Sequence, residues 1–194
     1  MLTIYLIVIR KGYCNIIITK QLLYMIAYVF VYGSLVDKKS RESTINTEMI
    51  YKCVLEGKYS RFWTYHPRDH SRLVLGMSPH ISKGKINGLL LIVDDYMLSK
   101  LDEREHKYTR VEIDKKDLVI NKILDSDIPL YTYLLHRDRE LDIENNLENS
   151  RYMYICFRGF LAYGNTYVKQ FMETTDGWKY PWMNYYVDSY KKIC

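Results

Sequence analysis

Residues 28–35 read YVFVYGSL, a run of aromatic and β-branched residues that ends on Gly33 and Ser34. Residues of these types are enriched in strands, so the run predicts a buried strand over residues 28–32. A glycine at its end can adopt backbone angles that are closed to other residues, and it leaves room for a ligand beside the main chain. Successive amides at such a bend can form a small anion-binding concavity, for which Gly33, Ser34 and Leu35 are candidates. Most strand–Gly–Ser junctions are ordinary turns, and the motif by itself does not separate the two.

The rest of the chain predicts a β-rich core with helices added at one side. Period-two alternation or continuous apolar character predicts strands, and apolar residues at three-and-four spacing predict helices. The predicted strands are residues 50–56, 58–65, 73–76, 85–93, 108–114 and 130–136. The predicted helices begin after an N-cap at Asp94 or Asp95 and, in the tail, cover residues 152–163 and 167–172. The sum is one α+β domain over residues 25–194, with HPRDH at 66–70 as a loop.

The charge pattern argues against nucleic-acid binding. The formal net charge is +5, but residues 1–24 carry three basic residues and no acid, which leaves 25 basic against 23 acidic residues in the remainder. Those charges are interspersed, as on an ordinary solvated surface. A protein that binds a phosphate backbone needs Lys and Arg clustered on one face, and no such cluster is present in the sequence.

The amino-terminal residues 1–24 are interpreted as a dispensable extension that an early start codon would explain. The apolar run LTIYLIVI is followed by its positive charges instead of preceded by them, which does not suit a signal peptide. A membrane span needs about 20 apolar residues, and Lys20 with Gln21 interrupts the stretch. Met25 stands just before the first predicted strand, where a compact domain can begin. A membrane anchor is the less favoured alternative.

Neither a metal site nor a disulfide framework is predicted. The cysteines are far apart and form no C-x-x-C pair: Cys14, Cys53, Cys156 and Cys194. Free thiols in a reducing compartment are the simplest interpretation, which predicts a cytoplasmic protein. The histidines His66, His70 and His80 have no cysteine or carboxylate at convincing ligand spacing.

A second stretch, LDEREHKYTRVEI at residues 101–113, carries four consecutive charged residues at a helix end. Such a run usually forms a solvated face. A carboxylate here, Glu105 above all, matters for function only if its side chain turns inward beside the loop at Gly33 and Ser34.

Together these stretches resemble the γ-glutamylcyclotransferase superfamily, including the AIG2-like proteins. The resemblance rests on the strand that enters YGSL, the GLLLIV strand and the L-D-x-x-E motif, and it covers about residues 25–135. It implies the family's fold, a small mixed β-barrel with flanking helices. It also implies that main-chain amides of Tyr32, Gly33, Ser34 and Leu35 hold the substrate and that Glu105 is the catalytic residue.

A thinner resemblance points to the ChaC-type glutathione-specific cyclotransferases. RFW at 61–63, DH at 69–70 and RE at 104–105 look like pieces of that pattern. The residues around Asp-His depart from it, because Arg68 precedes the pair and Ser71 follows it.

The implied reaction needs neither a cofactor nor a metal. The α-amine of a small γ-glutamyl substrate attacks its own γ-carbonyl, closes 5-oxoproline and releases an amine or amino acid. Well-oriented intramolecular reactions reach effective molarities of about 10⁵–10⁸ M. One general acid/base, Glu105, suffices, and we expect burial among aromatic residues to raise its pKa. Tyr108 and Tyr131 are predicted hydroxyl donors around it.

Two other functions stay open at this point. One is a non-catalytic binding or regulatory module that retains the pocket. The other is a membrane-associated form, which depends wholly on residues 1–24. The leaving group is left open between an amino acid, a γ-glutamyl-linked lysine or other amine, and the cysteinylglycine of glutathione, and the sequence predicts no oligomeric state.

Overall fold

The computed structural model describes residues 26–66, 69–135 and 147–178, together with residues 183 and 188. The predicted extension, residues 1–24, lies outside the described residues. The strands are β1 Ile26–Val31, β2 Ile50–His66, β3 Asp69–Asp94, β4 Thr109–Glu112, β5 Leu118–Ile120, β6 Leu130–Leu134 and β7 Thr175–Asp176. The α-helices are α1 Lys38–Glu42, α2 Asp95–Arg104, α3 Leu147–Leu161 and α4 Asn165–Glu173, with 3₁₀ turns at Ser34–Val36 and Lys115–Asp117. Among the described helices, none has the length and apolar character needed to span a bilayer.

The described strands form one mixed sheet, which confirms the predicted α+β class. Its order is β4–β6–β1–β3–β2–β5, with β7 beside β2. The predicted strand β1 lies in the middle, antiparallel to β3 and parallel to β6. Its side chains from Ala27 onward are buried, as expected for a central strand covered on both faces. Asp94 caps α2 as predicted, because its carboxylate accepts the N–H of Met97 at 2.8 Å.

The four strands predicted over residues 50–93 are in fact two long strands of one hairpin. β2 has 17 residues and β3 has 26. Gly57 does not end β2: the pairing shifts register between Gly57 and Tyr59, and such an irregularity bends a strand without terminating it. The predicted loop at 66–70 is also too long, because His66 already pairs with Asp69.

The far half of this hairpin bends back towards the end of β6. The N–H of Leu135 donates to the carbonyl oxygen of Met77 at 3.0 Å. Gly76 permits this approach, because a Cβ at that position would lie 2.6 Å from the ring of Phe62 and 3.3 Å from the Leu135 carbonyl oxygen. The sheet therefore curls on itself in the manner that the resemblance implies, and the curl brings β3 close to the end of β1.

A buried arginine joins the sheet to α4 and the residues that follow it. Arg61 of β2 is fully buried, and each acceptor of its N–H groups is neutral. The rings of Phe160 and Phe171 lie 5.1 and 4.6 Å from its guanidinium carbon and add a cation–π attraction. Burial lowers the pKa of Arg61 to about 9, which leaves the group charged at neutral pH. The acceptors are Thr175 Oγ1 (2.8 Å), Asn87 O (2.8 Å), Asn87 Oδ1 (3.0 Å), Thr174 Oγ1 (2.9 Å), Phe171 O (3.2 Å) and Tyr32 O (3.3 Å).

The substitution Thr175→Val tests this cluster. Valine keeps the shape of the side chain but removes the acceptor of the Arg61 Nε–H. Because an unsatisfied buried donor costs about 1–3 kcal/mol, we expect the free energy of unfolding to fall by that amount. Urea denaturation measures it. Thr109→Val, at an exposed position of β4, is the control and should change the value by less than about 0.5 kcal/mol. Equal effects of the two substitutions would contradict the role assigned to Arg61.

Candidate active site

The chain turns sharply after β1, and the turn leaves backbone amides without partners inside it. The N–H of Val36 donates to the Gly33 carbonyl oxygen at 2.9 Å, and the N–H of Asp37 donates to that of Ser34 at 3.2 Å. The amides of Ser34 and Leu35 precede the first bonded N–H, so they have no acceptor within the turn. Gly33 has a φ of −128°, which other residues also adopt. Gly33 therefore does not supply a positive φ here, and the room beside it is the other feature expected of this glycine.

This turn forms one wall of a cavity of about 30 Å³. The structure brings all five predicted site residues to the cavity, although they come from two separate parts of the sequence. The remaining walls come from β1, β3, β6, α3 and the segment after α2. The lining residues are Phe30, Val31, Tyr32, Gly33, Ser34, Leu35, Leu75, Glu105, Tyr108, Tyr133 and Tyr152.

Glu105 turns inward because it follows the last residue of α2. Its N–H still donates to the Leu101 carbonyl oxygen at 2.8 Å, but its backbone has left the helix, and only 15% of its side chain is exposed. Burial raises the pKa of Glu105, and the opposing effects of Arg104 and His106 do not cancel that rise. The prediction of a raised pKa is confirmed. By contrast, Glu103 pairs with Lys100 on the solvated face.

Four tyrosines surround Glu105, and their hydroxyl groups are mostly committed to protein partners. Burial raises the pKa of all four, so they remain neutral. The Tyr32 hydroxyl donates to the Tyr133 carbonyl oxygen at 2.7 Å, and the Tyr108 hydroxyl donates to the Leu75 carbonyl oxygen at 3.0 Å. The Tyr133 hydroxyl donates to Asp102 Oδ1 at 2.7 Å. The Tyr152 oxygen accepts the N–H of Leu75 at 3.4 Å.

One of the two predicted hydroxyl donors lies at the cavity, and the other does not. Tyr108 lines the cavity, but Tyr131 does not: its ring lies 4.9 Å from the guanidinium carbon of Arg110. Tyr133 lines the cavity instead. It lies on the same face of β6 as Tyr131, two residues further along the strand, which is a separation of about 7 Å. Tyr152 was missed by sequence reasoning. The signal was present, because Tyr152 begins the apolar face of the predicted tail helix.

The cysteines and histidines offer no second chemistry in the described part of the chain. Cys53 and Cys156 are buried free thiols. No group of three or more His, Cys, Asp or Glu residues within the described ranges could hold a metal ion. Cys14 and Cys194 lie outside the described residues, as do the side chains of His66, His70 and His80.

Guanidinium groups bind the residues of the turn and the residues that follow it. Asp37, which follows the turn, is nearly buried; burial alone would raise its pKa, but hydrogen bonds from Arg158 and from the Ser40 N–H lower it overall. Gly159 lets α3 approach, because a Cβ there would lie 2.5 Å from the Asp37 nitrogen. The contacts are Arg61 to Tyr32 O (3.3 Å), Arg104 to Ser34 Oγ (3.1 Å), Arg41 to Leu35 O and Val36 O (2.9 and 3.2 Å) and Arg158 to both oxygens of Asp37 (2.7 Å each).

Comparison with known proteins gives one family match and several structural neighbours. The family model for "Gamma-glutamyl cyclotransferase, AIG2-like" matches residues 29–155. YkqA from Bacillus subtilis is 17% identical with a TM-score of 0.56; the match covers 76% of this chain and 53% of YkqA, so the chain spans about half of that protein. No curated protein sequence matches the chain.

Two further solved structures have similar folds. One, titled "Gamma-glutamyl cyclotransferase", is 14% identical with a TM-score of 0.55, and the match covers 86% of this chain and 99% of that one. The human protein loc79017 is 12% identical with a TM-score of 0.52, covering 84% of this chain and 99% of its own. At these identities the neighbours show the fold alone.

The substitution Gly33→Ala should leave the fold intact. The added methyl group would lie 3.7 Å from Leu75 Cβ and from the Tyr152 hydroxyl, which is ordinary contact. We expect the free energy of unfolding to change by less than about 1 kcal/mol. Gly88→Ala in β3 is the contrasting variant, because its Cβ would lie 2.3 Å from the Val31 carbonyl oxygen and should cost about 1–3 kcal/mol. Urea denaturation compares them, and an equal loss in both variants would show that Gly33 has a purely structural role.

Proposed function

The chain belongs to the gamma-glutamyl cyclotransferase, AIG2-like family, and from that premise we propose that it is an enzyme that cyclises a γ-glutamyl group to 5-oxoproline and releases an amine. The observation that carries the proposal is the position of Glu105. It is a buried carboxylate with a raised pKa in the same cavity as the unpaired amides of Ser34 and Leu35.

The turn is proposed to bind the α-carboxylate of the substrate. Backbone N–H groups at the start of a helical turn are suited to an anion. The guanidinium groups of Arg41 and Arg61 grip carbonyl oxygens of the same segment, so they fix its backbone and add positive charge behind it. A carboxylate held there places the neighbouring α-amine close to Glu105, which lines the same small cavity.

Glu105 is proposed to transfer protons in both halves of the reaction. It takes a proton from the α-ammonium group, and the free amine attacks the γ-carbonyl carbon. The bond between that carbon and the leaving nitrogen then breaks. Of the three ammonium protons, one stays on the lactam nitrogen and two pass to the leaving nitrogen, which departs as an ammonium group. The raised pKa suits this role, because a glutamate near pKa ~4.3 is a poor base for an amine near ~8.

The surroundings of Glu105 support this chemistry without a covalent intermediate. The loop amides also supply donors for the oxyanion that forms when the amine attacks, and such donors contribute a few kcal/mol, about 3–4 in measured cases. The buried tyrosines keep the cavity apolar apart from their hydroxyl groups, which preserves the raised pKa of Glu105. The free thiols of Cys53 and Cys156 fit a reducing compartment such as the cytoplasm.

Glu105→Gln tests the proposal. Glutamine has the same shape but cannot transfer the proton, so we expect 5-oxoproline release to fall by about 10²–10⁴-fold. The assay uses γ-glutamyl amino acids, γ-glutamyl amines and glutathione, which also identifies the leaving group. Glu103→Gln is the matched control, because Glu103 lies two residues earlier, within α2, with 66% of its side chain exposed, and the variant should retain the wild-type rate.

Two results would contradict the proposal. Equal rates of Glu105→Gln and the wild type would remove Glu105 from the chemistry. A folded wild type that releases no 5-oxoproline from any compound, yet binds γ-glutamyl compounds in calorimetry, would instead support the non-catalytic binding module.

A further inference from the structure

The side chain of Arg104 connects Glu105 to the turn and to α1. Arg104 is the last residue of α2, and its side chain is 22% exposed. Each of its five N–H groups has an acceptor. Nε donates to Glu105 Oε1 (3.1 Å), Nη1 to Ser40 O (2.7 Å) and Thr44 Oγ1 (2.8 Å), and Nη2 to Ser34 Oγ (3.1 Å) and Ser40 Oγ (3.0 Å).

This connection is not a by-product of helical geometry. Consecutive residues of a helix do not face each other, so Arg104 and Glu105 would normally point apart. They meet because Glu105 has left the helix, while Arg104 is turned towards α1 by Ser40 and Thr44. The planar guanidinium presents its donors in fixed directions, so the acceptors on α1 and the turn determine where the fifth acceptor, Glu105 Oε1, can lie.

We propose that Arg104 is a positioning residue of the reaction, which fixes the carboxylate of Glu105 at a set distance from the substrate-binding turn. The inference rests on the proposed function. Arg104 is not itself a substrate ligand, because all its N–H donors are already engaged by the protein. It acts through Glu105 on one side and through Ser34 on the other.

The charge of Arg104 also predicts a distinctive pH dependence. Burial raises the pKa of Glu105, and Arg104 lowers it by its charge and by its hydrogen bond, so removing Arg104 should raise it further. A step that needs the ionised carboxylate slows as the pH falls below that pKa. The acidic limb of the rate profile therefore moves to higher pH when Arg104 is lost. The other groups facing Glu105 are His106 and the neutral hydroxyl groups of Tyr32, Tyr108, Tyr133 and Tyr152.

Two variants separate the charge from the geometry. Arg104→Met removes both the charge and the geometry. We expect the acidic limb of its kcat profile to shift to higher pH by on the order of one pH unit. In Arg104→Lys the charge remains, but one ammonium nitrogen cannot reach all the acceptors. We expect its acidic limb near that of the wild type and its kcat lower by about 10–100-fold, because small misplacements are costly. Arg151→Met, at an exposed position of α3, is the control and should change neither quantity.

Carbon-13 NMR of the glutamate carboxyl groups gives a readout that needs no turnover. The Glu105 signal is assigned by its absence in Glu105→Gln, and its titration is compared between the wild type and the Arg104 variants. A higher midpoint in Arg104→Met is expected. If the wild type releases no 5-oxoproline, the proposed function fails, while this titration still tests the link between Arg104 and Glu105.

The inference is overturned by an unchanged titration and rate profile in a folded Arg104→Met. If that variant does not fold, Arg104→Lys decides, and a wild-type kcat in Arg104→Lys would show that the shared guanidinium does not position Glu105.

Discussion

The guanidinium of Arg61 can remain charged in the interior only while its N–H groups all find acceptors, since moving an ion out of water costs several kcal/mol. Its acceptors come from β3, α4, the segment after α4 and the carbonyl of Tyr32. These parts are far apart in the sequence, so the charge is satisfied only when all of them are assembled. Because Tyr32 is among them, the condition that stabilises the core also fixes the start of the turn after β1.

The same principle recurs along the turn, where Arg41, Arg104 and Arg158 bind carbonyl or side-chain oxygens. These contacts engage oxygen atoms, whereas the N–H groups of Ser34 and Leu35 have no acceptor within the turn. Among the described residues that line the cavity, Glu105 is the only carboxylate. The site therefore combines guanidinium groups around the turn with one buried carboxylate, and burial keeps that carboxylate weakly solvated.

Local sequence patterns predicted the central strand, α2 with its cap at Asp94, and the tail helices, because each depends on the periodicity of its own residues. The pairing of the Gly33 turn with Glu105 could not be worked out from periodicity and came from the family resemblance. The continuity of β2 through Gly57 was missed, because glycine is typical both of a bulge within a strand and of a turn that ends one. Tyr131 was predicted where Tyr133 lies, because the two residues share a face of β6 and the alternation of the strand does not distinguish them. The arginine contacts were not foreseeable, because they depend on which carbonyl groups the fold leaves unpaired.

The contacts of Arg61 also reach past the end of the family match. The family match stops at residue 155, inside α3, whereas Phe171, Thr174 and Thr175 lie beyond it. A chain truncated at that boundary would leave a buried cation with about half of its acceptors, and would also remove Arg158 from Asp37. The contacts that satisfy the buried charge of Arg61 therefore extend beyond the region that the family model matches, into α4 and the residues after it.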